Sequence, residues 1–86
     1  MEFRHETGRI FAEDENGALL CEITFPDDGA VAVIDHTYVS GRLRGQGVAA
    51  QLVAAAVEQI KERGLKVYPT CSYAMKWLQE HPETME

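Results

Sequence analysis

The chain reads as an α/β (α+β) domain, a mixed and mostly antiparallel sheet with one strand–helix–strand crossover and two helices. Three observations predict this. The N-terminal third alternates apolar and polar residues between the turn signals Gly8 and Asn16-Gly17. An apolar segment, Ala30–Val39, leads through the glycine-bearing turn Ser40-Gly41-Arg42-Leu43-Arg44-Gly45-Gln46-Gly47 into a long amphipathic stretch. A short apolar segment, Leu65–Thr70, follows, and 86 residues leave room for one domain, taken as 1–86.

Strands are expected at Phe3–Glu6, Arg9–Glu13 and Ala18–Phe25, the last two joined by an Asn-Gly hairpin. In the third, Leu19, Cys21, Ile23 and Phe25 share one face by alternation, with Leu20, Glu22 and Thr24 on the other. Pro26-Asp27-Asp28-Gly29 has turn chemistry. Ala30–Val39 is read as one strand apolar on both faces, with Val31, Val33 and Val39 on one and Ala32, Ile34 and Tyr38 on the other. Such a strand is central and helix-covered.

The helix after it aligns Val48, Ala49, Leu52, Val53, Ala56, Val57 and Ile60 on one stripe. Gln51, Glu58, Gln59, Lys61 and Glu62 are left to solvent. Gly64 is placed to stop the helix as a left-handed cap. A second helix, Ser72–Glu80, ends before Pro82, with Trp77, Met75 and Leu78 read as packing residues. A strand–helix–strand order makes Ala30–Val39 and Leu65–Thr70 parallel.

The formal net charge is −6 and the pI about 4.9, yet no Asp or Glu lies between His36 and Val57, where Arg42 and Arg44 stand. A locally positive turn opening a helix is a seat for one anionic group, because the first N–H groups of a helix are unpaired and meet the positive end of its dipole. The acidic balance argues against nucleic acid, which needs a broad basic surface. The apolar runs are too short to span a bilayer. Met1-Glu2-Phe3-Arg4-His5-Glu6 has no signal-peptide pattern, so a cytoplasmic location is the default expectation. Cys21 and Cys71 are read as free thiols, and no spacing resembles a metal site.

Three phosphate motifs compete for the turn. A Walker loop needs Gly-Lys-Ser/Thr, and Gly47-Val48-Ala49 lacks both the lysine and the hydroxyl. Gly45-Gln46-Gly47-Val48-Ala49-Ala50 matches the dinucleotide string, but the next strand offers no acid for a ribose. Arg44-Gly45-Gln46-Gly47-Val48-Ala49 has the Arg/Gln-x-x-Gly-x-Gly/Ala form of the acetyl-coenzyme A loop and resembles that of GNAT-type N-acetyltransferases. Asp35-His36-Thr37-Tyr38-Val39 and Val67-Tyr68-Pro69-Thr70-Cys71-Ser72-Tyr73, with His81-Pro82, are similar to the small single-domain GNAT-like proteins of the YjdJ type.

The resemblance implies a minimal GNAT-like fold that binds acetyl-CoA. Arg44, Gly45, Gln46, Gly47, Val48 and Ala49 would take the pyrophosphate, and Tyr38 and Val39 would line the pantetheine. The acetyl group would pass to an amine of a small molecule or protein, or to another small nucleophile. One departure matters: the helices that GNAT enzymes insert between their first two strands have no room between Phe3 and Phe25. The alternative is therefore a non-catalytic acyl-CoA-binding sensor or interaction module, and a nucleotide-binding module is a distant third.

Two residues are candidates for chemistry. Cys71 stands at a strand C-terminus where a helix begins, a place that favours the thiolate, and is read as an acetyl acceptor or a proton donor to the leaving thiolate. His36 is read as a general base for the acceptor. Asp35 lies on the other face of an unbroken strand, so it forms no dyad with His36 unless the strand bulges. Tyr73 is a weaker candidate for leaving-group acid, while Cys21, with apolar neighbours, is core.

Overall fold

The structure is a computed structural model and describes residues 1–85. Its strands are β1 (Arg4–Glu6), β2 (Arg9–Glu13), β3 (Leu19–Thr24), β4 (Val31–Ile34), β5 (His36–Val39) and β6 (Lys66–Pro69). The helices are α1 (Val48–Glu62) and α2 (Ser72–Glu80). Strands β1, β2, β3 and β5 form an antiparallel sheet in that order, and β4 pairs with β6 in parallel.

The expected meander is present, with local differences at its turns. Gly8 takes a φ of 79° and closes a two-residue turn between Glu6 and Arg9. The second hairpin is longer than a two-residue Asn-Gly turn: Asp14 N–H donates to Ala18 O at 2.9 Å and Gly17 N–H to Asp14 O at 3.0 Å. The Asp14 carboxylate also accepts from the N–H groups of Asn16 and Ala18, so the aspartate organises the loop and Gly17 supplies its left-handed residue, φ 84°.

The segment read as one strand over Ala30–Val39 is two strands, divided at Asp35. Asp35 N–H donates to Thr24 O at 3.3 Å, and its carboxylate accepts the Thr24 hydroxyl at 2.5 Å. Through this pivot the chain leaves β6 and joins β3, and the inward alternation changes phase. Ala32 and Ile34 are fully buried before it; after it Thr37 and Val39 are half-buried, while His36 and Tyr38 are exposed. Tyr38 therefore does not share a buried face with Ile34 as the unbroken strand required.

One core lies between the sheet and the helices. Ile10, Ala12, Cys21, Ile23, Phe25, Ala32 and Ile34 meet Val48, Leu52, Val53, Ala56, Val57 and Ile60 of α1, with Ala74 and Leu78 of α2. The predicted helical stripe supplies this face, with Ala49 half-buried at its edge. Gln59, expected in solvent, instead bridges α1 to the first hairpin: its side-chain oxygen accepts Gly8 N–H at 3.0 Å and its amide donates to Glu6 O at 3.1 Å. Gly64, φ 74°, ends α1 with its N–H on Lys61 O and that of Leu65 on Ile60 O, a Schellman cap. Met75, read as a packing residue, is 44% exposed, whereas Trp77 is half-buried and stacks on His81 with ring centroids 3.9 Å apart. Among the described residues no helix is long and apolar enough to cross a membrane.

Candidate acetyl-CoA site

The glycine turn is built as a short 3₁₀ segment, Gly41–Leu43, followed by two left-handed glycines, Gly45 (φ 81°) and Gly47 (φ 70°). Ser40 caps the first segment by accepting Arg42 N–H, but Gly47, at the N-cap of α1, has no side chain to offer. The first intrahelical bond is Gln51 N–H to Gly47 O at 3.2 Å, so the N–H groups of Val48, Ala49 and Ala50 precede any partner within the helix. They stand at the positive end of the helix dipole.

Beside them is an open depression of about 220 Å³, lined by most of the turn between Val39 and Ala49 and by Tyr73 of α2. The two arginines of the turn have separate fates. Arg42 bonds the Asp14 carboxylate at 2.8 Å across to the second hairpin, whereas Arg44 has no ion-pair partner among the described residues and lines the depression. The local positive charge is thus one guanidinium, not two.

Of the residues expected to hold the cofactor, Val39, Arg44, Gly45, Gly47, Val48 and Ala49 line the depression. Gln46 is exposed in the same turn without lining it. Tyr38 points to the opposite face of β5, opposite Glu22.

The strands part where the chain pivots. Ile34 O accepts the N–H groups of both Thr70 (3.0 Å) and Cys71 (3.1 Å), after which β5 follows β3 and the gap opens. Cys71 is the N-cap of α2, and its sulfur lies 3.5 Å from Thr37 Oγ1, across the gap. Partial burial pushes the Cys71 thiol up, but the Thr37 hydroxyl and the N–H groups of Ala74, Tyr73 and Thr37 outweigh it and hold the thiol below its ordinary value. Thr37 and Val39 share one face of β5, about 7 Å apart along the strand; Val39 lines the depression, and the Thr37–Cys71 contact lies outside its lining.

His36 is not brought to Cys71. As the neighbour of Thr37 it faces the other side of β5, 52% exposed, with Nε2 3.5 Å from Glu22. Asp35 is engaged with Thr24 and makes no dyad with it. Sequence reading passed over Thr37, because the signal that would have found it, the phase change at Asp35, comes from strand pairing rather than from the local pattern.

The sequence pattern of the GCN5-related N-acetyl-transferase family matches residues 9–86. The chain belongs to this family. It is 37% identical to a GCN5-like protein of Staphylococcus aureus whose solution structure superposes with a TM-score of 0.73, over 96% of this chain and 82% of that one. It is also 39% identical over 49 residues to the NATD1 proteins of Xenopus tropicalis and Homo sapiens, 57% of this chain and 45% and 43% of theirs. The chain thus spans less than half the length of these curated relatives. N-acetylglutamate synthase of Neisseria gonorrhoeae, solved with coenzyme A and N-acetyl-glutamate, shares the fold at a TM-score of 0.67 and 16% identity, over 86% of this chain and 18% of that one. The GNAT fold, with its mostly antiparallel sheet and two helices, is therefore that of this acetyltransferase-family chain.

Proposed function

We propose that residues 1–86 act as one domain that binds acetyl-CoA and transfers its acetyl group to an amine or another small nucleophile. The observation that supports this best is the uncapped start of α1: main-chain donors and Arg44, which has no ion-pair partner among the described residues, lie beside one depression in a chain that is otherwise acidic. The N–H groups of the Gly45–Ala49 turn hold the diphosphate, and Arg44 pairs with it. Val39 flanks the pantetheine, and Tyr38 contributes through its main chain.

In this reading Cys71 is the acyl acceptor. Its sulfur, having released its own proton to solvent, would form a bond to the acetyl carbon as the thioester C–S bond breaks, and the electron pair would leave on the coenzyme sulfur, which takes a proton from water or from Tyr73, itself reprotonated from solvent. The incoming amine then attacks the acetyl-cysteine carbonyl, and Cys71 departs as thiolate. His36, on the other face of β5 beside Glu22, takes the proton of that amine only through water.

The loop assignment is tested by Gly47→Val. No neighbouring atom lies within 4 Å of an added Cβ, so the substitution acts through the left-handed φ of 70° and through the branched side chain placed among the donors. Calorimetric titration with coenzyme A is expected to show affinity falling by tenfold or more while the chain stays folded; unchanged affinity would exclude the turn as the diphosphate site.

A second reading, an acyl-CoA-binding module without turnover, is favoured by the two-residue turn between β1 and β2. GNAT enzymes place helices of the acceptor wall at that point. Assay of acetyl-CoA consumption against a panel of amines separates the two readings.

A further inference from the structure

Thr37 and Cys71 are each fixed by main-chain bonds that do not involve the other. Thr37 is paired with Ile23 in β3, and as a β-branched residue in a strand it has few rotamers to choose from. Cys71 donates its N–H to Ile34 O and receives Met75 N–H on its carbonyl at 3.0 Å. The 3.5 Å between Oγ1 and Sγ is therefore set by the scaffold on both sides of the gap.

A hydroxyl can accept one hydrogen bond and donate another by rotating about its C–O bond. Toward the neutral thiol, Thr37 Oγ1 accepts the S–H. Once the sulfur has lost its proton, the same hydroxyl turns to donate to S⁻. We propose that Thr37 is the positioning residue of the site, holding the Cys71 sulfur at the mouth of the gap and reversing its hydroxyl as the sulfur changes charge. The proposal rests on Cys71 as acyl acceptor and adds the group that readies it, a role that none of the cofactor-loop residues supplies.

Of the titratable groups on the surrounding elements, Tyr73 lines the neighbouring depression, and the others are exposed or engaged by other residues. On β5, His36 and Tyr38 are exposed on the opposite face, and Asp35 bonds Thr24. Lys66 and Tyr68 of β6, Tyr73, Lys76 and Glu80 of α2, and Glu58, Lys61 and Glu62 of α1 are all exposed. The influences that favour the thiolate are the hydroxyl and main-chain N–H groups, with no ion pair among them.

The test is the rate of alkylation of Cys71 by iodoacetamide across pH, with the modified residue located by mass spectrometry. Cys21 is fully buried and serves as an internal silent site. In Thr37→Val, which keeps the side-chain shape, and in Thr37→Ala, the profile is expected to move to higher pH. Near pH 7 the rate falls about threefold, because about a tenfold loss of thiolate is partly offset by the greater nucleophilicity of the more basic sulfur. At the high-pH plateau the same variants alkylate faster than the parent, and Thr37→Ser follows the parent throughout.

Looser packing alone would raise the rate at every pH, and that outcome, or a superimposable profile, overturns the proposal. The two readings fail separately. If Cys71 takes no acetyl group from acetyl-CoA, the acyl-cysteine route is lost and the alkylation result stands; if acetyl-Cys71 forms and the profile does not move, Thr37 alone is removed.

Discussion

Cys21 and Cys71 carry the same thiol in opposite surroundings. Burial in the core pushes the Cys21 thiol up, against a smaller opposing contribution from an Ala12 main-chain hydrogen bond. Cys71, half-buried at the head of α2, is held below its ordinary value despite burial. A thiol that must form a bond to carbon needs the second environment. Cys71→Ala is therefore expected to retain coenzyme A affinity, since its side chain is outside the cofactor turn, while abolishing the acetylated protein species seen by mass spectrometry after incubation with acetyl-CoA. Persistence of that species would place the acetyl group on another residue. Arg42 and Arg44 show the same dependence on surroundings: the loop motif singles out Arg44, and the fold assigns Arg42 to Asp14.

At the scale of elements, α1 does three jobs with three parts of its length. Its first turn has no side-chain cap, its buried stripe builds the core, and Gln59 near its end ties down the hairpin of β1 and β2. Thr7-Gly8 is the only connection between those strands, and Gly8 O also receives Phe25 N–H at 2.8 Å, so this corner joins three elements. Replacing Gln59 by Leu keeps helix propensity but leaves Gly8 N–H and Glu6 O without their partner. A loss of about 1–2 kcal/mol is expected from a part-buried bond and its exposed companion, read as a lower urea midpoint with unchanged slope. Periodicity made the helices and most strand positions legible, Ser72–Glu80 to the residue. It could not show that Ala30–Val39 divides, because both halves are apolar enough to read as one strand and the division depends on hydrogen bonds from Thr24 to Asp35.

Over the whole molecule, an acidic chain is held partly by carboxylates that staple its loops. Arg42 holds the Asp14 carboxyl below the usual carboxylate range, as Arg63 does for Asp27 at 2.6 Å, and the N–H groups of Val31 and Ala30 do the same for Asp28. Lowered values in the folded chain mean that the unfolded chain binds more protons in the acid range. The stabilisation is complete above about pH 5 and is lost as pH falls through the carboxylate range and below it. Urea midpoints are expected to be flat from pH 7 to 5 and to drop below pH 4, with Asp27→Asn less stable at neutral pH and shallower in its decline. By itself the sequence determined the helices, most of the strands, the glycine turn between strand and helix, and the resemblance of that turn to a coenzyme A loop, because these depend on local periodicity and on backbone conformations that glycine allows. The tertiary structure decided the change of sheet partner at Asp35, the pairing of Arg42 with Asp14, the outward placement of His36 and Tyr38, and the meeting of Thr37 with Cys71. Each of these joins residues far apart in the chain, and only the packed strands and helices set the distances between them.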